Sequence, residues 1–561
     1  MFRAVDGGRT SGGQSGAEAS ARATPLASPA LDPESLDPSL ELGLPVGPGR
    51  RRAAAHRTPG LSADGRLLAG RLAGLTMRRA IWVLSWPIFA QAFLQSMVGL
   101  VDTVLAAAVS EAAADAIGGA AYIMWFIGVV VMAIGVGATA LISRAVGSRR
   151  LAVANAALGQ TVLLAVAAGA AVGVVVAGIA GPAASLMGLA GEAREGFRIY
   201  LLINAASAPL IALLSAGIEG ARAAGDSLRP LRSMVVVNLV NIAASWVLAG
   251  VDLTATRIVD GQALTRVVLH NPFPFHLGVT GIALGTLLAH AVGAVIILRL
   301  LARGTSGLRL RRRRLRPHWH TMRRLLRIGL PNFLETLGMW LGNLPIVLMV
   351  AWLGRQSPQG GGLLGAHVIA IRVEAFSFLP GLAMAAAAAT LAGQYLGAGS
   401  PAHARRAIAW CTVIASAFMG AMGVLFVLAP RSIVGLMTSQ PAHLDAAPAL
   451  LLITGTVQVP FAISIVLRGA MRGAGDVRAV MIITWVTTYA IRLPLAYALS
   501  GADIPLPPSL NAGQPGGVIH NPFWRDGGLA GLWIGLCIEV VIRAALFTWR
   551  FLRGGWAASR V

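Results

Sequence analysis

The sequence predicts an all-α polytopic membrane protein, with twelve transmembrane helices in two six-helix repeats around a central cleft. Three observations carry the prediction. The 561 residues are 56% hydrophobic and only 12% charged, about half the ~25% charged fraction of a soluble domain. Twelve apolar runs succeed one another after Met77, each near the roughly 20 residues that cross about 30 Å of hydrocarbon. The second six runs repeat the first, with His520-Asn-Pro-Phe523 standing 250 residues after His270-Asn-Pro-Phe273.

The runs fall at about 81–107, 119–142, 158–180, 199–218, 233–250, 278–301, 328–353, 364–392, 407–429, 447–467, 479–500 and 528–552. Several contain or adjoin proline (Pro87, Pro331, Pro380, Pro460, Pro494), tolerated in membranes where neighbours satisfy the freed carbonyl. The abundant Gly and Ala suit close helix packing in lipid. Residues 1–78, rich in Gly, Ala, Ser, Pro and Arg, read as a disordered cytoplasmic tail. Met77, just ahead of the first run, is a candidate start codon, which N-terminal peptide mapping checks. Cys411 and Cys537 sit inside apolar runs and read as buried free thiols.

Charge placement orients the bundle. All 46 basic residues are arginine, against 23 acids, for a formal net charge of +23. They crowd alternate loops: Arg144, Arg149 and Arg150; Arg222, Arg229 and Arg232; Arg405 and Arg406; Arg468, Arg472 and Arg478. Eleven more lie between Arg299 and Arg327. The positive-inside rule then puts both termini in the cytoplasm. It also turns the basic charge into a topological signal, so no nucleic-acid partner is expected and the Arg311–Arg314 run faces anionic lipid.

The repeat extends beyond that motif. Arg222-Ala-Ala-Gly225-Asp226 matches Arg472-Gly-Ala-Gly475-Asp476, and Gly278, Gly281 and Gly285 match Gly528, Gly531 and Gly535. The expected divisions are an N-terminal half over 79–303, a basic linker over 304–327 and a C-terminal half over 328–561. Repeats related by an axis along the membrane normal place a substrate site at their interface.

Ionisable residues at membrane depth are costly and mark candidate function. Asp102, Glu335 and Glu374 are the candidate ion- or proton-coupling residues. Gln91, Gln95 and Asp102 share one face of the first helix. Asn332 and Glu335 lie together just after Pro331. Gln91, Gln95, Asn204, Asn238, Asn241, Asn332 and Gln394 are the candidate polar lining of the cleft. Glu539 and Arg543, four apart, read as a structural ion pair. No P-loop, metal-ligand spacing or nucleophile motif is present, so neither an enzyme nor a cofactor is expected.

These features resemble the multidrug and toxic compound extrusion (MATE) family, bacterial type. The carriers are Trp86-Pro87 with Val101-Asp102-Thr103; Arg222-Ala-Ala-Gly-Asp226; Ile328-Gly-Leu-Pro331; Gly365-Ala-His367 through Arg372-Val-Glu374; Gly393-Gln394-Tyr-Leu-Gly397; and Leu467-Arg468-Gly through Asp476. The likeness spans roughly 80–553. It implies a plasma-membrane antiporter that exports organic cations or drugs in exchange for H⁺ or Na⁺, working as a monomer. Family members of this type use the aspartate of the first helix, here Asp102. They often pair an Asn with an Asp four residues on in the fifth helix, where this chain has Asn241 and Ser245. With one carboxylate in that half, H⁺ is expected over Na⁺. The alternatives are a flippase for a lipid-linked saccharide and a passive channel.

Overall fold

The computed structural model describes residues 60–259, 262–356, 362–505, 517–523 and 527–559. Most of the segment read as a tail, 1–59, lies outside them. The spans are α1 (Met77–Val109), α2 (Glu111–Gly147), α3 (Leu151–Leu186), α4 (Gly191–Ala223), α5 (Leu228–Ala249) and α6 (Gly278–Arg303). The second set is α7 (Trp319–Gln356), α8 (Leu363–Gly397), α9 (Pro401–Leu428), α10 (the pair Pro441–Thr456 and Gln458–Gly473), α11 (Val477–Ser500) and α12 (Gly528–Arg553). Among the described residues eleven helices are long and apolar enough to cross a membrane, and the pair in α10, bent by 61°, makes a twelfth. The chain is a multi-pass membrane protein.

Local chemistry sets many of the ends. Ser110 caps α2 by accepting from the Ala113 N–H at 3.1 Å, and Ser400 with Pro401 starts α9, both favoured N-terminal signals. Gly250 and Gly501 end α5 and α11 with φ of 68° and 67°, a left-handed turn that suits glycine. Inside α11, Val486–Arg492 widens to a π-helix just before Pro494. Such bulges relieve a hydrogen-bond ladder that proline interrupts.

Each repeat closes at the end away from the arginine loops with the same corner. After α5 a hairpin forms from β1 (Leu253–Val259) and β2 (Gln262–Leu269), and after α11 a shorter one pairs β3 (Ile504–Pro505) with β4 (Val518–Ile519). In the first corner Asp252 accepts from the Asn271 N–H at 2.7 Å and meets His270 Nδ1 at 3.0 Å. The Asn271 amide donates back to the Trp246 carbonyl at 2.8 Å. In the second, Asp503, His520, Asn521 and the Tyr497 carbonyl repeat the arrangement. The Asn-Pro-Phe motif is thus a structural latch.

The Asn271 N–H and the His270 ring hold the Asp252 carboxyl below the usual carboxylate range. A depressed acid adds stability above its unfolded pKa and loses it as pH falls through the folded value. The melting temperature of Asp252→Asn should therefore lie below that of the parent by a constant amount at neutral pH. That difference should vanish as pH drops below the carboxylate range. A difference unchanged at acid pH would refute the latch.

The two halves meet at the arginine-rich end. Here α2 crosses α8 so closely that Gly147 lies against the Gln394 carbonyl and Gly397 against the Arg144 carbonyl, with no room for a Cβ at either glycine. Gln394 Nε2 donates to the Ala223 carbonyl at 2.8 Å, and Thr390 Oγ1 to the Arg222 carbonyl at 3.4 Å. Deeper in the bundle Trp125 of α2 stacks on Trp340 of α7, centroids 5.8 Å apart, and Phe126 meets Phe333 edge-on.

One sequence expectation changes here. Residues 60–76 do not behave as the end of a disordered tail: they fold back on the bundle, with Leu67 and Leu72 buried. The cause is tertiary, since scattered leucines have too little local signal but find apolar partners on helices far along the chain. The arginine-rich linker docks on α3, where the carbonyls of Arg314 and Arg316 accept from Gln160 Nε2 at 2.9 and 2.8 Å.

Candidate functional site

In the N-terminal half the polar side chains converge on Asp102, which α1 carries into the space between α4 and α6. Asp102 Oδ2 accepts from Tyr200 Oη at 3.0 Å and from Thr286 Oγ1 at 3.4 Å. Asn241 of α5 donates to the same Thr286 hydroxyl at 2.9 Å and to Ser245 Oγ at 3.4 Å. Asp102, Asn241, Ser245 and Thr286 are all buried. Among the described residues no arginine lies within ion-pair distance of Asp102. Its Oδ1 and the side-chain oxygens of Asn204, Asn238 and Asn241 find no donor. A buried carboxylate oxygen without a donor is chemically able to accept a proton or a bare cation.

Gln91 and Gln95 stand on α1 nearer the arginine-rich end. They line a cavity of ≈ 210 Å³ with Ala92, Ser215, Ile218, Glu219 and Arg222. Arg222 Nη1 meets Glu219 Oε1 at 2.6 Å, and its Nη2 donates to Gln91 Oε1 at 2.7 Å. Thr139 Oγ1 donates to Glu219 Oε2 at 3.3 Å. The Glu219 side chain keeps 30% exposure, so a carboxylate faces the cavity. Glu219 escapes the sequence reading because it lies just past the apolar run at 199–218, while α4 continues to Ala223. It also missed Tyr200 and Thr286, whose hydroxyls have no pattern that separates them from ordinary helix packing.

The C-terminal half holds its charges differently. Glu335 is buried and takes Arg472 at 2.7 Å, Arg468 at 4.0 Å and Thr484 Oγ1 at 3.0 Å. It is the centre of an interhelical ion cluster. Glu539 and Arg543 pair at 2.7 Å inside α12, and Arg543 also donates to Thr487 and Thr488 of α11 at 3.0 and 3.2 Å. Glu374 instead accepts from the Thr454 hydroxyl, at the bend of α10, where Gln458 and Ser377 join it.

The other expected lining residues lie inside the helix packing. Asn332 is fully buried, with neither amide atom partnered among the described residues. Asn204 and Asn238 donate back to their own helices, to the Tyr200 and Met234 carbonyls. Gln394 is sealed in the seam between halves. All four are buried, a setting that spacing along one helix does not reveal.

Two six-helix repeats enclosing polar groups at membrane depth define the architecture of a secondary transporter. The family model described as MatE matches residues 87–247 and 331–498. The chain belongs to that family. It is 25% identical to the probable multidrug resistance protein NorM of Thermotoga maritima, over 86% of this chain and 94% of that protein. It is 24% identical to the uncharacterized transporter YisQ of Bacillus subtilis, over 85% and 94%. Among solved structures, the Vibrio cholerae MATE transporter VcmN in the bent form matches with a TM-score of 0.71 at 19% identity, over 85% of this chain and 97% of that one. That likeness speaks for the fold.

Proposed function

We propose that the protein is a cation-coupled antiporter that exports organic cations or drugs by alternating access, with H⁺ taken up at Asp102. The observation that carries the reading is a difference among the membrane-depth acids. Glu219, Glu335 and Glu539 are each ion-paired to arginine. Such a carboxylate gives up a strong partner if it is protonated, so it is poorly suited to cycling. Asp102 instead meets the uncharged Tyr200 and Thr286 hydroxyls and, among the described residues, no arginine. Loading it shifts the balance of states by the proton's differential affinity for them. The name of the Thermotoga maritima relative supports a drug substrate. The arginine-rich end faces the cytoplasm by the positive-inside rule, and the plasma membrane is the proposed location.

A second reading, Na⁺ coupling, draws support from the donor-less oxygens of Asp102 and of Asn241, whose amide shares the Thr286 hydroxyl with Asp102. Proteoliposomes loaded with a fluorescent cationic dye separate the two. Under the first reading a pH gradient drives dye movement and a Na⁺ gradient does not; the reverse supports Na⁺. Dye equilibration without exchange in either case would indicate a channel and overturn both.

In this reading the substrate cation enters the cavity above Glu219 and competes with Arg222 for its carboxylate. A hydrogen bond to a charged group contributes about 1.5–3 kcal/mol. Glu219→Gln should then weaken binding of a cationic dye about tenfold and leave a neutral apolar ligand of similar size unaffected. Equal losses for both ligands in a binding titration would exclude that role.

A further inference from the structure

We propose that residues 60–76 form a strap that ties the two halves together at the arginine-rich end, and that this strap must release before that end can open. The segment is a compact fold-back. Leu61 and Leu67 pair across it, the Leu68 N–H donates to the Gly60 carbonyl at 3.1 Å, the Ser62 N–H to the Arg66 carbonyl at 2.9 Å, and Arg66 Nη1 to the Gly74 carbonyl at 3.1 Å.

Its outward contacts divide between the halves. Toward the N-terminal half, the Arg71 N–H donates to the Ala224 carbonyl at 3.1 Å. Gly70 lies against Val146 and Ala224, and Leu72 fills the space over Gly225. Toward the C-terminal half, Gly65 lies against the His403 ring. Leu67 and Leu72 join one apolar cluster with Leu391, Tyr395 and Ala398. Gly60 touches both at once, the Gly147 carbonyl on α2 and Ala398 just past α8, with no space for a Cβ. It therefore sits over the crossing of α2 and α8 that closes this end.

Opening the arginine-rich end separates α2 from α8. The strap cannot keep both sets of contacts through that movement, so it must leave one half. Its contacts favour the state closed at this end, and a contact made in only one state shifts the equilibrium toward that state. The strap thus sets how readily the exporter presents its cleft to that side. This inference rests on the alternating-access reading above.

The test places a cysteine in the seam. Ser143 is fully buried on α2, facing Gly393 of α8. Ser143→Cys in a Cys411→Ala/Cys537→Ala background is exposed to a membrane-impermeant maleimide applied from the arginine-rich side. Two full-chain variants loosen the strap: Leu72→Asp, and the milder Arg71→Pro, which removes the N–H that Ala224 accepts. Arg71→Pro carries the test if Leu72→Asp does not fold. The expected result is labelling about tenfold faster than in the unloosened parent, with unchanged labelling at an exposed control cysteine. Unchanged labelling at position 143, with pH-driven efflux intact, overturns the strap alone. Unchanged labelling with no efflux overturns both readings.

Discussion

Asp102→Asn should reduce pH-driven efflux to background while leaving expression and the folded bundle intact. The amide keeps the shape of the carboxylate and can still meet the Tyr200 and Thr286 hydroxyls. It cannot bind or release the proton. Coupling free energies between sites are typically 1–3 kcal/mol, a 5–150-fold change in affinity. A variant that loses the coupled site should therefore lose a pH dependence of dye affinity of about that size, and with it the pH-driven flux. Dye binding measured without any gradient should persist, which separates failed coupling from failed folding. Full efflux in Asp102→Asn would remove Asp102 from the mechanism. Glu374 would then be the next candidate, since it too meets a hydroxyl rather than an arginine.

Arg543→Ala should be among the most destabilising single changes in the molecule. Glu539 and Arg543 are 1% and 7% exposed at the side chain, and Arg543 also ties α12 to the π-helical stretch of α11 through Thr487 and Thr488. Removing one partner of a buried pair costs about 3–5 kcal/mol, because the other charge is left uncompensated. Removing both, as in Glu539→Leu with Arg543→Leu, should cost much less. Thermal unfolding in detergent distinguishes the two: a large drop for the single variant and partial recovery for the double. Equal drops would mean the arginine acts through Thr487 and Thr488 alone.

The spans were readable in the sequence because length and hydropathy are local properties, and a bilayer imposes both. The same holds for the twofold repeat, since glycine and asparagine recur wherever the same corner recurs. The bend of α10 was only half readable: Pro460 has no N–H for the Thr456 carbonyl and its ring crowds that carbonyl, which marks a break near Val457, but the 61° angle between Pro441–Thr456 and Gln458–Gly473 is set by tertiary packing. For the candidate site, Asp102 and Asn241 stood out as polar residues in apolar runs. Tyr200 and Thr286 did not, since their role depends on α4 and α6 turning the same way. Glu335 was legible as a buried acid but not as an ion-paired one, because Arg472 lies 137 residues further on.

The paired corners bear on how the chain is made. Everything the first latch uses, from the Trp246 carbonyl through Asp252 to Asn271, lies within one short stretch of the first half. A nascent chain that has cleared the ribosome past α6 therefore holds a finished latch before any of the second half exists. Domains commonly fold as units during synthesis, and here each repeat has its own clasp with which to do so.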